Sequence, residues 1–555
     1  MRTRRPIRWL IVALAVLSAS VVSCTQDGGR SVGAEHSDGV VTTSTSTTAK
    51  ANSAPCHPDV SETVASTSVS GSPTDVDVTS FDGTRIRAHW FPGPADGGPR
   101  PTVLMGPGWG MAGDTDADAV GILGAVNIAT LRSAGYNVLT WDPRGFGESG
   151  GVAMVDSPEY EARDVQQLLT WVSHRPEAQI DAPLDPTVGM VGGSYGGGIQ
   201  FVTAGIDCRV DALVPIVAWH SLITSLYKSQ TYKQGWAEIL SSVASNARLD
   251  PMIGAANEQG RRSGVLSQAQ VDWFEARGPG DLVSKVAVPT MVVGGTVDTL
   301  FTLAEDVTNL EALQKAGTTT SMYWFCGGHG TCLTDAGDPE RMTSRILAWL
   351  KRWVQRDESV DVGPAFEFLD QHGTHYTADA YPLQSGSPIT GSGSGALDLA
   401  ADGGSGPASV PAEKADILSG VAGDIIPAPA SRSIDVAIPV HSDAMVLGAP
   451  RLELRYSGTS PAGEQPTRLF AQLVDRSTGL VVGNQVTPVP VELDGKLHTV
   501  EVPLEVVAQK ADPSSDLVLQ LAATTTLYGT PRLGGSIAVQ KASITLPTVT
   551  GYAPL

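Results

Sequence analysis

A serine, an aspartate and a histidine stand in this chain in an order that suits acyl transfer. The stretch "TVGMVGGSYGGG" sets Ser194 after an apolar run, in the pattern Gly192-x-Ser194-x-Gly196. Between a strand and a helix this pattern is a nucleophile elbow, a turn so tight that it needs flanking glycines and lifts the hydroxyl above the sheet. A serine hydroxyl is a weak nucleophile until a base takes its proton and a carboxylate orients that base. "VPTMVVGGTVD" ends in Asp298 beyond a second apolar run, and "TSMYWFCGGHG" carries His329 beyond a third. Ser, Asp, His is the chain order of an α/β-hydrolase triad. Asp298 also suits a helix cap before "TLFTLAEDV". His36, His57, His89, His174, His372, His375, His441 and His498 fall in a tether, on an early strand, at a helix end or in the C-terminal region. The rival base is His220 after "VPIVAW", read with Trp219 as a wall of the substrate pocket. The developing oxyanion needs donors. The N–H of Tyr195 is the first, and the N–H of Trp109 or Gly110 in "GPGWG" is the expected second.

His329 is fenced by Cys326 and Cys332, three positions away on each side. Zinc would need more ligands at closer spacing, and no Cys-x-x-Cys pair or second nearby ligand appears, so neither a metal nor another cofactor is expected. With Cys24 set aside, the four cysteines Cys56, Cys208, Cys326 and Cys332 allow three pairings. The preferred one joins Cys326 to Cys332 as a clasp on the histidine loop, and Cys56 to Cys208.

Elements able to position these residues are legible around them. "TRIRAHWF" after the turn "FDG" reads as a hairpin arm, and "RPTVLMGPGWG" as a strand running into a Gly-rich loop. "VGILGAVNIATLRSAGY" and "EYEARDVQQLLTWVSH" have helical spacing, "NVLTW", "DALVPIVAW" and "TSMYWF" read as buried strands, and "PERMTSRILAWLKRWVQ" closes the alternation as a helix. Strand-helix alternation predicts a parallel sheet covered on both faces. Residues 221–285 break it with helical, aromatic-rich segments, read as an inserted cap. After residue 363 short alternating segments such as "RLELRYS" and "RLFAQLVD" lie between Gly, Ser and Pro turns, which predicts a β-sandwich of jelly-roll type. "SGSPITGSGSGALDLAADGGSGPAS" reads as loop.

With these residues in place the chain resembles the Xaa-Pro dipeptidyl-peptidase and cocaine-esterase family of α/β-hydrolases. The resemblance rests on "WDPRGFGESGG", with Asp142, Arg144, Gly145, Ser149 and Gly151, on Gly192-x-Ser194-Tyr195-x-Gly197, and on the order of Asp298 and His329. It covers most of residues 74–550 and implies an α/β-hydrolase fold with a helical cap and a C-terminal jelly roll. Family members often use a tyrosine hydroxyl in the oxyanion loop; "MGPGWGMAG" has none, which favours backbone donors. Asp142 and Arg144 are expected to brace the loop beside the site.

Composition sets the surroundings. The net charge of −21 disfavours a nucleic-acid partner. "MRTRRPIR", the apolar "WLIVALAVL" and "SASVVSC" read as a bacterial lipoprotein leader over residues 1–23, with Cys24 lipidated and the chain anchored to the outer face of the cell membrane. Residues 24–58, including "VVTTSTSTTAKANSAP", read as a disordered tether. The domain plan is then hydrolase at 59–362 and jelly roll at 363–555. The function expected is a serine hydrolase of esters or amides acting on small-molecule or peptide acyl substrates, foremost a carboxylesterase. A dipeptidyl-peptidase is the alternative and needs a cap carboxylate such as Glu238, Glu258 or Glu275 for the substrate's ammonium. A surface binding protein without catalysis is the reading from another class.

Overall fold

Asp82 and Gly83 turn the chain between Thr74–Thr79 and Arg85–Phe91, which pair antiparallel as the hairpin predicted from "FDG". This computed structural model describes residues 73–94, 98–415, 417–461, 467–529 and 533–555. The expected leader and tether, with Cys24 and Cys56, lie outside the described residues.

Among the described residues the main sheet has 11 strands. Its order is Thr74–Thr79, Arg85–Phe91, Asn137–Trp141, Thr102–Gly106, Val188–Gly193, Val210–Ile216, Thr290–Gly295, Thr320–Phe325, Phe366–Leu369, His375–Ala378 and Ala553–Pro554. From Asn137–Trp141 to Phe366–Leu369 every pairing is parallel. These strands read as unbroken apolar runs because both faces are covered. Leu104, Leu139, Met190, Leu213, Val292 and Met322 face one set of helices, Glu161–Ser173, Tyr195–Ile206 and Leu303–Lys315. Their neighbours Val103, Val138, Val191, Val214, Val293 and Tyr323 face Ile128–Ser133 and Glu340–Trp353. The fold is therefore the α/β-hydrolase class expected, with the helices Leu222–Leu226, Gln234–Val243, Pro251–Ser263 and Gln268–Glu275 inserted between two strands.

Three local readings change. The helix expected over "VGILGAVNIATLRSAGY" is only Ile128–Ser133, because the Asn127 side chain accepts from the Thr130 amide and starts the helix there. The stretch read as loop holds a strand, Ile389–Asp398. Its glycines permit close packing: a Cβ at Gly395 would stand 2.9 Å from the Ile434 side chain, and one at Gly391 2.6 Å from the Ala437 carbonyl. Finally, the hydrolase sheet does not stop at residue 362. Phe366–Leu369 pairs parallel with Thr320–Phe325, and His375–Ala378 pairs with both Phe366–Leu369 and the C-terminal Ala553–Pro554.

Ile180–Ala182 and Asp185–Pro186 pair as a small separate sheet, and strands after residue 384 form the C-terminal β-sandwich region around Leu452, Leu454, Leu469, Val489, Leu519 and Ile544. Ile389–Asp398, Ser536–Leu546, Arg451–Thr459 and Asp494–Pro503 make one antiparallel sheet; Ser433–Ile438, Leu517–Ala522 and Thr467–Asp475 belong to another. Contacts join the hydrolase and sandwich parts in one compact unit.

Candidate active site

Three strand ends meet at the carboxyl edge of the parallel sheet, where open α/β sheets bind ligands. Ser194 follows Val188–Gly193 with φ 57° and ψ −117°, a backbone conformation held by close packing on both sides. A Cβ at Gly196 would stand 2.2 Å from the Gly106 carbonyl, and one at Gly192 2.4 Å from the Gly196 carbonyl, so only glycine fits at either place. Asp298 follows Thr290–Gly295 and is fully buried. Its Oδ1 accepts from the amides of Leu300 (2.9 Å) and Phe301 (2.8 Å). Its Oδ2 accepts from the His329 amide at 2.9 Å and lies 2.7 Å from His329 Nδ1. His329 Nε2 lies 2.7 Å from Ser194 Oγ. Proton acceptor, hydroxyl and orienting carboxylate thus form one continuous hydrogen-bonded chain, the geometry needed to pass the serine proton to the imidazole.

Two residues that the sequence did not single out hold the imidazole from the sides. The Phe301 and Trp236 rings meet it edge-on at centroid distances of 5.1 and 5.8 Å, and Trp236 Nε1 donates to Thr299 Oγ1 at 3.0 Å. Behind them the ammonium of Lys233 donates to the carbonyls of Thr299 (3.0 Å) and Leu300 (3.2 Å), and burial pushes it down to about 8. The Cys326–Cys332 disulfide is present and encloses His329. Cys208 is also disulfide-bonded; Cys56, its expected partner, lies outside the described residues.

Tyr195 opens the helix behind the serine, so its N–H is among the first-turn amides that lack an intrahelical acceptor. Its ring packs against Trp109 at 5.3 Å, which brings the expected oxyanion loop beside the elbow. Trp109 Nε1 is tied to the Leu240 carbonyl of the cap at 3.1 Å, leaving the backbone of this loop as the source of a donor. The Tyr195 hydroxyl turns away from Ser194, accepts from the Asp156 amide at 3.3 Å and lies 3.5 Å from Glu161 Oε1. Burial raises Asp156 well above its ordinary value, with Glu161 adding to the effect, and burial pushes Glu161 up to about 7.

Asp142 and Arg144 brace the neighbouring loop without facing the serine. Asp142 accepts from the amides of Gly113 (2.8 Å) and Glu148 (2.7 Å), and Arg144 grips Asp164 with two hydrogen bonds of 2.7 Å. Burial acts upward on the Asp142 carboxyl, but His89 and the two amides outweigh it and hold it below its ordinary value.

An apolar cavity of about 110 Å³ opens on Ser194 beneath the cap. Trp109, Trp219, Leu222, Leu226, Leu240, Ile253, Leu266 and Phe301 are among its walls, and among the described residues no charged side chain lines it. Trp219 is a wall as expected, but His220 is not. Its Nδ1 is 2.9 Å from Asn309 Oδ1 and its amide donates to Glu305, so the helix Leu303–Lys315 holds the imidazole and it is not among the cavity walls. Glu238, Glu258 and Glu275 are exposed on the cap and none reaches the cavity.

Residues 82–331 match the family model of the X-Pro dipeptidyl-peptidases (S15 family). No curated protein matches the chain in sequence. Among solved structures, a CocE/NonD family hydrolase from Staphylococcus aureus superposes with a TM-score of 0.61 at 13% identity, covering 87% of this chain and 97% of its own. An α-amino acid ester hydrolase gives 0.63 at 13% identity over 89% and 100%. An aminopeptidase from a marine sediment Thaumarchaeota archaeon gives 0.62 at 13% identity over 89% and 99%. At such identities these likenesses speak for the fold. The resemblance read from the motifs is borne out, and the chain is a serine hydrolase of the esterase or peptidase kind.

Proposed function

We propose that this protein is a carboxylesterase for esters with an apolar acyl group, working through Ser194, His329 and Asp298 and held on the outer face of the cell membrane by a lipid on Cys24. One observation carries the reading: the hydrogen-bonded chain from Asp298 to Ser194 ends at the floor of a cavity with no charged wall. An acyl chain gains from leaving water there, by about 0.8 kcal/mol per methylene. A free substrate ammonium would be stranded without a counter-charge. This disfavours a dipeptidyl-peptidase, because Glu238, Glu258 and Glu275 stay on the outside of the cap.

In the reaction, Ser194 Oγ attacks the ester carbonyl carbon while His329 Nε2 takes its proton, and the Asp298 carboxylate steadies the imidazolium. The N–H groups of Tyr195 and of Trp109 or Gly110 receive the oxyanion. Collapse expels the alkoxide, which leaves as the alcohol with the proton from His329, and an acyl group remains on Ser194. A water molecule, deprotonated by His329, then attacks the acyl carbon; the acid departs and Ser194 recovers its proton.

The wild type should turn over p-nitrophenyl esters far faster than Gly-Pro-p-nitroanilide. Ser194→Ala should abolish both that turnover and labelling by a fluorophosphonate; labelling that persists removes Ser194 as the nucleophile. Anchoring is tested separately, since Cys24→Ser should move activity from the membrane fraction to the soluble one.

A further inference from the structure

The geometry points to a pair of positioning residues in the sandwich part of the chain, Gln485 and Asn484, which tie the loop of the catalytic acid to the loop of the catalytic base. This rests on the triad reading above and adds to it a role for residues distant in sequence.

The turn at Val482–Gln485 follows the short strand Leu480–Val481 of the sandwich and reaches the floor of the active site. Gln485 Nε2 donates to the main-chain carbonyl of Asp298 at 2.8 Å and to the Gly483 carbonyl at 2.9 Å, so its amide spans the acid and its own turn. Asn484 Nδ2 donates at 3.1 Å to the carbonyl of Thr331, two residues beyond His329. Both side chains are buried, at 5% and 4% exposure. Asn484 has φ 55°, a left-handed conformation that asparagine tolerates better than most residues and that points its amide at the base loop. The Gly483 amide donates to Gln371 Oε1 at 3.2 Å, anchoring the turn to the extended hydrolase sheet.

Other sandwich groups hold the same loop a few residues on. Glu505 accepts from Thr302 Oγ1 at 2.8 Å and pairs with Lys228 of the cap. Burial acts upward on Glu505, but Lys228 and Lys233 outweigh it and keep the carboxyl below its ordinary value. Val486, the next residue in the turn, packs with Trp236, Leu300 and Phe301 around the imidazole. Asp298 and His329 come from different strands, and their direct tie is through the single oxygen Asp298 Oδ2. A single turn bonded to a carbonyl on each loop gives them a common reference.

Displacement of the triad by a fraction of an ångström lowers the rate of the chemical step without changing the cavity that binds the acyl chain. Gln485→Leu keeps the volume and removes the donor; Asn484→Gly keeps the left-handed backbone and removes the donor. Each should lower kcat for a p-nitrophenyl ester by about 10- to 100-fold while KM stays within about twofold. In a His329→Ala background, where the residual rate no longer uses the base, Gln485→Leu should cost nothing further. Thermal midpoints identify a variant that fails to fold, and if Gln485→Leu is lost this way Asn484→Gly decides alone. A folded variant with unchanged kcat, or with a raised KM and unchanged kcat, overturns the positioning role. Because wild-type turnover remains abolished by Ser194→Ala in that case, the loss would fall on this inference and not on the nucleophile.

Discussion

At the scale of single residues, the buried acids beneath the elbow of Ser194 make stability depend on pH. Glu161 is buried, accepts from the amides of Met154 (2.6 Å) and Ser157 (2.9 Å), and lies against the Tyr195 hydroxyl. Burial pushes its carboxyl up to about 7, from 4.5. The folded state therefore holds a proton that the unfolded chain releases earlier. The stability this confers is complete below about pH 4.5 and is lost as pH rises to about 7, a change of about 3 kcal/mol for a shift of this size. Asp211, also pushed up to about 7 by burial, adds a slope of the same sign. Glu161→Gln should therefore shrink, without abolishing, the fall in stability between pH 5 and pH 8 in urea titrations; an unchanged slope would show that Glu161 ionises normally. Ser194, Asp298 and His329 could be read from the sequence because each ends an apolar run and their order is set by the fold. His220 could be read only as lying after a strand. Its actual partners, Asn309 and Glu305, are about 90 residues further on, and nothing near His220 announces them.

At the scale of elements, the loop carrying His329 is held by two constraints of different origin. From inside, Cys326–Cys332 closes a span of six residues; from outside, Asn484 holds the Thr331 carbonyl. A loop this short adds about 2 kcal/mol of stability through the unfolded chain, but its larger effect is to limit where Gly327, Gly328 and Gly330 can carry the imidazole. Replacing Cys326 and Cys332 together by serine should lower kcat by about tenfold and the thermal midpoint by a few degrees, with KM little changed. Equal kcat in the two proteins would leave the bridge a purely structural staple. The clasp could be read because both cysteines flank the histidine at equal spacing. The strand Ile389–Asp398 could not, since glycines carry no strand preference. They are used there because the Ala437 carbonyl at Gly391 and the Ile434 side chain at Gly395 come too close for a Cβ to enter without a shift. The shortening of the first helix to Ile128–Ser133 has the opposite cause, a local side-chain cap prevailing over helical spacing upstream.

At the scale of the whole molecule, composition marks a change of texture near residue 363, but hydrogen bonding and charge put the end of the hydrolase sheet later. Residues 364 onward supply Glu367, which is fully buried and paired with Arg341 at 2.6 Å and Arg345 at 3.6 Å, both on the helix that closes the hydrolase. They also supply Phe366 and Phe368, which pack on Trp324 of the strand leading to His329. A chain ending at residue 362 would lose all three. The strand Thr320–Phe325 would become an open apolar edge, ready to pair with other chains. Arg345, only 5% exposed, would be left buried without its carboxylate, a loss on the order of 3–5 kcal/mol. The sandwich side chains Phe470, Val486, Leu527 and Tyr528 would also leave the apolar cluster that walls the site. Residues 59–362 expressed alone should therefore aggregate and hydrolyse no ester. Residues 59–555, which lack Cys56 equally, should elute as a folded species and hydrolyse the ester, because they keep those strands and the sandwich. Size-exclusion chromatography with a p-nitrophenyl ester assay on the fractions separates the two outcomes. A monomeric, active 59–362 fragment would mean that the hydrolase folds without the strands that follow residue 362, and that the sandwich is an appendage to the catalytic domain, not a part of it.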